Sequence, residues 1–118
     1  APTMGQEGAL YGLQHHDQLV APLSTAFQER LTYLYDRLKE LDWLKLQPAE
    51  GAIYLFADIT ATGFNSVDFA DQLLNKAGIL VVPGLAFGKA GEGFIRIAAT
   101  QEISVLKQAV AKLQQLKW

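Results

Sequence analysis

Apolar residues recur at helical spacing through the first forty positions. Ala9, Leu10, Leu13 and Val20 mark a helix over residues 4–19, weakened by Gly5, Gly8 and Gly12, each costing about 1 kcal/mol against alanine. Leu23, Phe27, Leu31, Leu34, Leu38 and Leu41 then fall on one stripe, with Gln28, Glu29 and Lys39 largely off it, so a stronger helix is expected to start at Pro22. After Trp43 the period changes. Residues 48–51 read as a turn and 52–59 as a strand, with Ile53, Leu55 and Ala57 on one face and Tyr54, Phe56 and Asp58 on the other. Both faces are largely apolar, which suits a strand covered at least in part on each side.

Residues 60–65 form a polar loop, and Asn65 or Ser66 can cap the helix that follows, whose stripe is Phe69, Ala70, Leu73, Leu74 and Ala77. Gly78 is placed to stop it. Residues 79–84, ILVVPG, read as a short buried strand, 85–93 as a glycine-rich loop and 94–99, FIRIAA, as the last strand. Thr100 is expected to cap a final helix carrying Ile103, Leu106, Val110 and Leu113, with Lys112 and Lys117 near its negative end. The expected order is helix, helix, strand, helix, strand, strand, helix. This is an α+β domain over residues 1–118: a small mixed or antiparallel sheet of about three strands, with helices mainly on one face.

Composition narrows the function classes. The net charge of −2 and the absence of a basic run argue against nucleic-acid partners. With no cysteine, disulfides, a cysteine nucleophile and thiolate zinc ligation are excluded. No apolar stretch approaches the roughly 20 residues of a bilayer span, so no membrane partner is expected, and a soluble, cytoplasmic domain is. The chain opens without an initiator methionine and enters a helical pattern with no lead-in strand. That fits a piece of a longer protein, and processing would produce the same start.

Few residues carry chemistry. The glycines at 84, 88, 91 and 93 precede a strand rather than a helix, so a turn-forming role is favoured over phosphate binding. His15 and His16 are adjacent, point about 100° apart on a helix, and have no further partner to complete a metal set. The serines lack a nucleophile-elbow context, and Glu29, Asp36 and Glu40 share a mixed-charge helix face with Arg30, Arg37 and Lys39. No catalytic residue and no metal ligand is therefore assigned. One residue breaks the pattern: Arg96 sits in the middle of FIRIAA, sharing a face with Phe94 and Ala98. A guanidinium there must face water, meet an acid, or await an anion from outside.

PAEGAIYLFADI followed by FADQLLNKAGILVVPGLAFGKAGEGFIRIAAT resembles the C-terminal small domain of the fold-type I, class I/II aminotransferases, which use pyridoxal 5′-phosphate. The resemblance covers about residues 47–113, and the helices upstream fit the segment that leads into that domain. It implies that Arg96 binds the α-carboxylate of an amino acid or 2-oxo acid. The loop with Gly84 and Phe87 would lie near the substrate mouth, and Ile53 would take a place often aromatic on the active-site side. The cofactor's motifs, including the Schiff-base lysine, are missing. The resemblance therefore implies a large cofactor-binding domain outside this chain, a parent acting as a homodimer with pyridoxal phosphate, and a 118-residue chain that binds no cofactor and is inactive alone. Readings left open are a lyase of the same fold (a carbon–sulfur β-lyase), a stand-alone carboxylate-binding module and an interaction domain.

Overall fold

The computed structural model describes all residues 1–118. Two helices come first: α1, Thr3–Gln14, and α2, His16–Leu38. The break between them falls at His15, not at Pro22. The His15 ring stacks on Tyr11 with centroids 4.0 Å apart, and its Nδ1 lies 2.9 Å from the Tyr11 carbonyl at the open end of α1. Pro22 sits inside α2, where it forgoes a hydrogen bond to the carbonyl of Gln18. That stretch is exposed, so water can take the freed carbonyl.

Four strands follow. Strands β1 (Lys45–Leu46), β2 (Tyr54–Asp58), β3 (Val82–Pro83) and β4 (Phe94–Ala98) form one sheet in the order β1-β2-β4-β3. Every pair is antiparallel. The sheet thus has four strands where about three were expected. Strand β1 is too short for any period to reveal it, and it pairs Lys45 with Asp58 and Leu46 with Ala57. The strand expected over 79–84 is reduced to two residues, because it lies at an edge and Pro83 has no N–H to extend the ladder.

Helices α3 (Ser66–Ala77) and α4 (Ile103–Leu113) complete the fold. Asn65 is the cap of α3: its Oδ1 accepts the Asp68 N–H at 2.8 Å, and its amide donates to the Asp68 carboxylate at 2.7 Å. Gly78 ends α3 in the left-handed conformation, φ 66°. Helix α4 starts later than Thr100 implies. Glu102 is at its cap position without a side-chain cap bond, because its carboxylate is taken by Arg30 of α2 at 2.6 Å. Lys112 reaches back to the Ala77 carbonyl at 2.9 Å and so neutralises the end of α3.

The core joins Leu31, Leu34 and Leu38 of α2, Phe69 and Leu73 of α3, and Leu106, Val110 and Leu113 of α4. They press on Leu55, Ala57 and Ile95 of the sheet. Each buried large aliphatic or aromatic side chain contributes about 1.5–3 kcal/mol. The helices therefore cover one sheet face. The other face, with Tyr54 and Phe56 each 40% exposed, is covered only in part by this chain.

The N-terminal arm does not join this core. Helix α1 buries no residue, and the apolar stripe of α2 is buried only from Leu31 onward, with Leu23 exposed. The radius of gyration, 16.6 Å, exceeds the roughly 13.5 Å of a compact domain of this length. The arm accounts for the excess.

Candidate functional site

Period-two alternation turns Phe94, Arg96 and Ala98 of β4 to the open face, beside Tyr54, Phe56 and Asp58 of β2. Arg96 stands at the centre, with Phe56 as its register partner on one side and Val82 on the other. Its guanidinium carbon lies 5.4 Å from the Tyr54 ring centre and 5.2 Å from that of Phe87, within cation–π range of both. Phe87 also meets Phe56 edge-on at 6.1 Å, and Phe56 stacks on Phe94 at 5.1 Å with the rings 6° apart. The cation is thus held between two rings at one end of an aromatic row.

No acid neutralises it. The ion pairs of the chain are His16–Asp17, Arg30–Glu102 and Lys39–Asp36, all elsewhere. Asp58, on the same face, is engaged by the Thr60 hydroxyl at 2.6 Å and the Thr60 N–H at 2.8 Å. These bonds, the hydroxyl's first, hold its carboxyl below the ordinary range. Arg96 Nε is shielded from solvent and has no acceptor. A buried donor left unmet costs about 1–3 kcal/mol, and groups of that kind call for an explanation outside simple packing.

Two residues flagged from the sequence meet at this place and one does not. Phe87 covers the guanidinium. Gly84 lies buried beneath the same loop, where a Cβ would collide with the Gly91 carbonyl, so its part is to let two backbone turns touch. Ile53 shares the face of Leu55 and lines a groove with Val20, Leu23 and Phe27 of α2, away from Arg96. Tyr54 was missed. Its shared face with Phe56 was readable from alternation, but its approach to Arg96 needed the register between β2 and β4.

The residues of this chain do not fit pyridoxal phosphate by themselves. Loop 85–93 packs against the N-terminus of α3, the one place where a helix dipole meets the glycines, and a carboxylate already fills it. Glu92 accepts the N–H of Ser66 at 2.7 Å and of Gly93 at 2.9 Å, and the Ser66 hydroxyl at 3.1 Å. These bonds, the Ser66 N–H first, hold the Glu92 carboxyl below its ordinary value of 4.5. Four of the seven lysines are engaged elsewhere: Lys39 with Asp36, Lys112 with the Ala77 carbonyl, Lys76 over Trp118 and Lys107 over Tyr33. No group of three or more His, Cys, Asp or Glu side chains could hold a metal ion. No helix is long and apolar enough to cross a membrane.

An antiparallel sheet covered by helices on one face, with a lone arginine among aromatic rings on the other, describes an α+β domain like the small domain of aminotransferases. Residues 1–113 match the family described as Aminotransferase class I and II, and the chain belongs to that family. The family depends on pyridoxal phosphate. The aspartate aminotransferase of Pyrococcus horikoshii is 35% identical over 95 residues, covering 80% of this chain and 24% of that protein. The LL-diaminopimelate aminotransferase of Gloeobacter violaceus is 31% identical over 109 residues, covering 92% and 28%. The crystal structure of an aromatic aminotransferase from Pyrococcus horikoshii matches with a TM-score of 0.74 at 35% identity, over 77% of this chain and 24% of that one. This chain therefore spans about a quarter of the length of these relatives.

Proposed function

We propose that this chain is the small domain of a pyridoxal-phosphate-dependent aminotransferase, and that Arg96 binds the α-carboxylate of its amino-acid and 2-oxo-acid substrates. The observation that carries this reading is the guanidinium itself: permanently charged, flanked by Tyr54 and Phe87, and without an acid. A planar fork of donors matches a carboxylate bidentately, and rings on its flanks lower its freedom without competing for the anion. Arg96 fixes where the substrate's amino group sits, which is positioning rather than chemistry.

The cofactor is assigned to a large domain elsewhere in the parent polypeptide, and the isolated chain is inactive. The exposed Leu10, Leu13, Leu19, Val20 and Leu23 of the arm support this, since an apolar row of that extent on a monomer points to a covering surface. The parent acts as a homodimer. The relatives are named for substrates that range from aspartate to LL-diaminopimelate and aromatic amino acids, and the choice among them is assigned to surfaces outside this chain.

In the full-length parent, Arg96→Ala lowers kcat/KM for an amino acid by about 100-fold or more. The matching amine, which lacks the carboxylate, is spared. Equal losses for both, or a collapse in thermal stability, would contradict the assignment. An antibody to this domain tests the architecture: a polypeptide roughly four times as long is expected in source cells, in line with the relatives' length. A band at 12.9 kDa would overturn it.

A further inference from the structure

We infer that Glu92 is a positioning residue for Arg96, acting through a hydrogen-bonded clasp that sets the loop carrying Phe87. The inference rests on the carboxylate reading of Arg96 and adds to it the element that keeps the guanidinium in place.

The clasp is a chain of four bonds. Glu92 Oε1 accepts from Ser66 N–H and Gly93 N–H, and Oε2 accepts from the Ser66 hydroxyl. The Ser66 oxygen in turn accepts the N–H of Leu85 at 3.3 Å. Leu85 lies in the short 3-10 turn Gly84–Phe87, two residues before Phe87. The second turn, Lys89–Gly91, ends immediately before Glu92, and Gly84 and Gly91 touch backbone to backbone. Both ends of the loop are therefore pinned to one fully buried serine at the start of α3.

Phe87 itself has little other support. Its side chain is 54% exposed, and its ring touches Arg96 and Phe56. With so little packing of its own, its place over the guanidinium is set by the loop backbone. Gly88, at φ 112°, leaves the turn in a conformation that an L-residue rarely adopts, so the loop has one shape to keep or lose. A charge-assisted bond to backbone N–H is among the stronger hydrogen bonds. Removing Glu92 frees Ser66 N–H and Gly93 N–H at once, and the turn loses the anchor that aims Phe87.

The experiment uses the full-length parent with Glu92→Ala, Glu92→Gln, Phe87→Ala and Arg96→Ala. The probe is an amino acid and the matching amine. Glu92→Ala is expected to raise KM for the amino acid about tenfold with kcat changed much less, because a small displacement of a positioned group weakens binding of that group. KM for the amine stays constant. Phe87→Ala shows the same split. Glu92→Gln restores most of the amino-acid KM, since the amide oxygen still accepts both N–H groups and its NH2 can donate to Ser66 Oγ. If Glu92→Ala does not fold, Ser66→Ala replaces it, removing the hydroxyl's bonds to Glu92 and to the Leu85 N–H while the backbone bond from Ser66 N–H to Glu92 stays, and the same split is expected. Equal losses for amino acid and amine would make Glu92 merely structural and overturn the inference. An unchanged KM in Glu92→Ala, with Arg96→Ala still selective for the carboxylate, overturns the inference alone. If Arg96→Ala shows no carboxylate selectivity, the underlying reading fails first.

Discussion

Leu55 and Phe56 are neighbours in one strand with opposite surroundings. Leu55, with Ala57, Ile95 and Ala99, looks toward the helices and is buried; Phe56, with Tyr54, Phe94 and Arg96, looks away and stays partly open. The covered face is aliphatic and complete within this chain. The open face is aromatic, carries an unneutralised cation, and has a donor without an acceptor. On the proposed role of Arg96, stability and recognition are separated by the two-residue period of the same strands. Substitutions should separate the same way.

The largest effect is expected on the covered face. Leu55→Ala should cost about 2–5 kcal/mol in urea unfolding, and Phe56→Ala, partly exposed already, about 1–2 kcal/mol. Comparable costs would mean that the open face is as much core as the other. Gly84→Ala is next, about 1–3 kcal/mol by forcing apart two backbone turns. Because that loop also aims Phe87, the variant should weaken use of carboxylate substrates as well. Asn65→Ala should cost about 1 kcal/mol through the lost cap of α3, with no change in carboxylate selectivity. Loss of selectivity there would show that α3 itself, not only the loop, positions the site.

The smallest effect concerns pH. The Glu92 carboxyl is held below 4.5 by the N–H groups of Ser66 and Gly93 and the Ser66 hydroxyl. Its folded value is depressed, so its contribution is present above 4.5 and is lost as pH falls through the lower, folded value. Thermal melts of the wild type should therefore show a larger drop on acidification below 4.5 than melts of Glu92→Gln, whose side chain does not titrate. Parallel curves would remove Glu92 from the acid response.

Much of this was legible in the sequence because it follows from period and punctuation. The stripe of α3, its Asn65 cap and its Gly78 stop are local, and so is the alternation that sets Arg96 opposite Ile95 and Ile97. What escaped was non-local or too short. Strand β1 has two residues, and Arg30 draws Glu102 from 72 positions away. Glu92 reaches Ser66 across 26, a bond that no spacing announces. The helix break was misplaced because Pro22 is a stronger breaker on paper than His15, yet an exposed helix tolerates it. Ile53 is named through family resemblance alone, and its strand face sets it in the groove beside α2.

The most direct test is a crystal structure of the full-length parent with an amino acid bound. Two oxygens of the substrate carboxylate are predicted within about 2.7–2.9 Å of the Arg96 guanidinium nitrogens, with Tyr54 and Phe87 still on its flanks. A carboxylate held by another cation, with Arg96 paired to an acidic side chain of the large domain, would contradict the account.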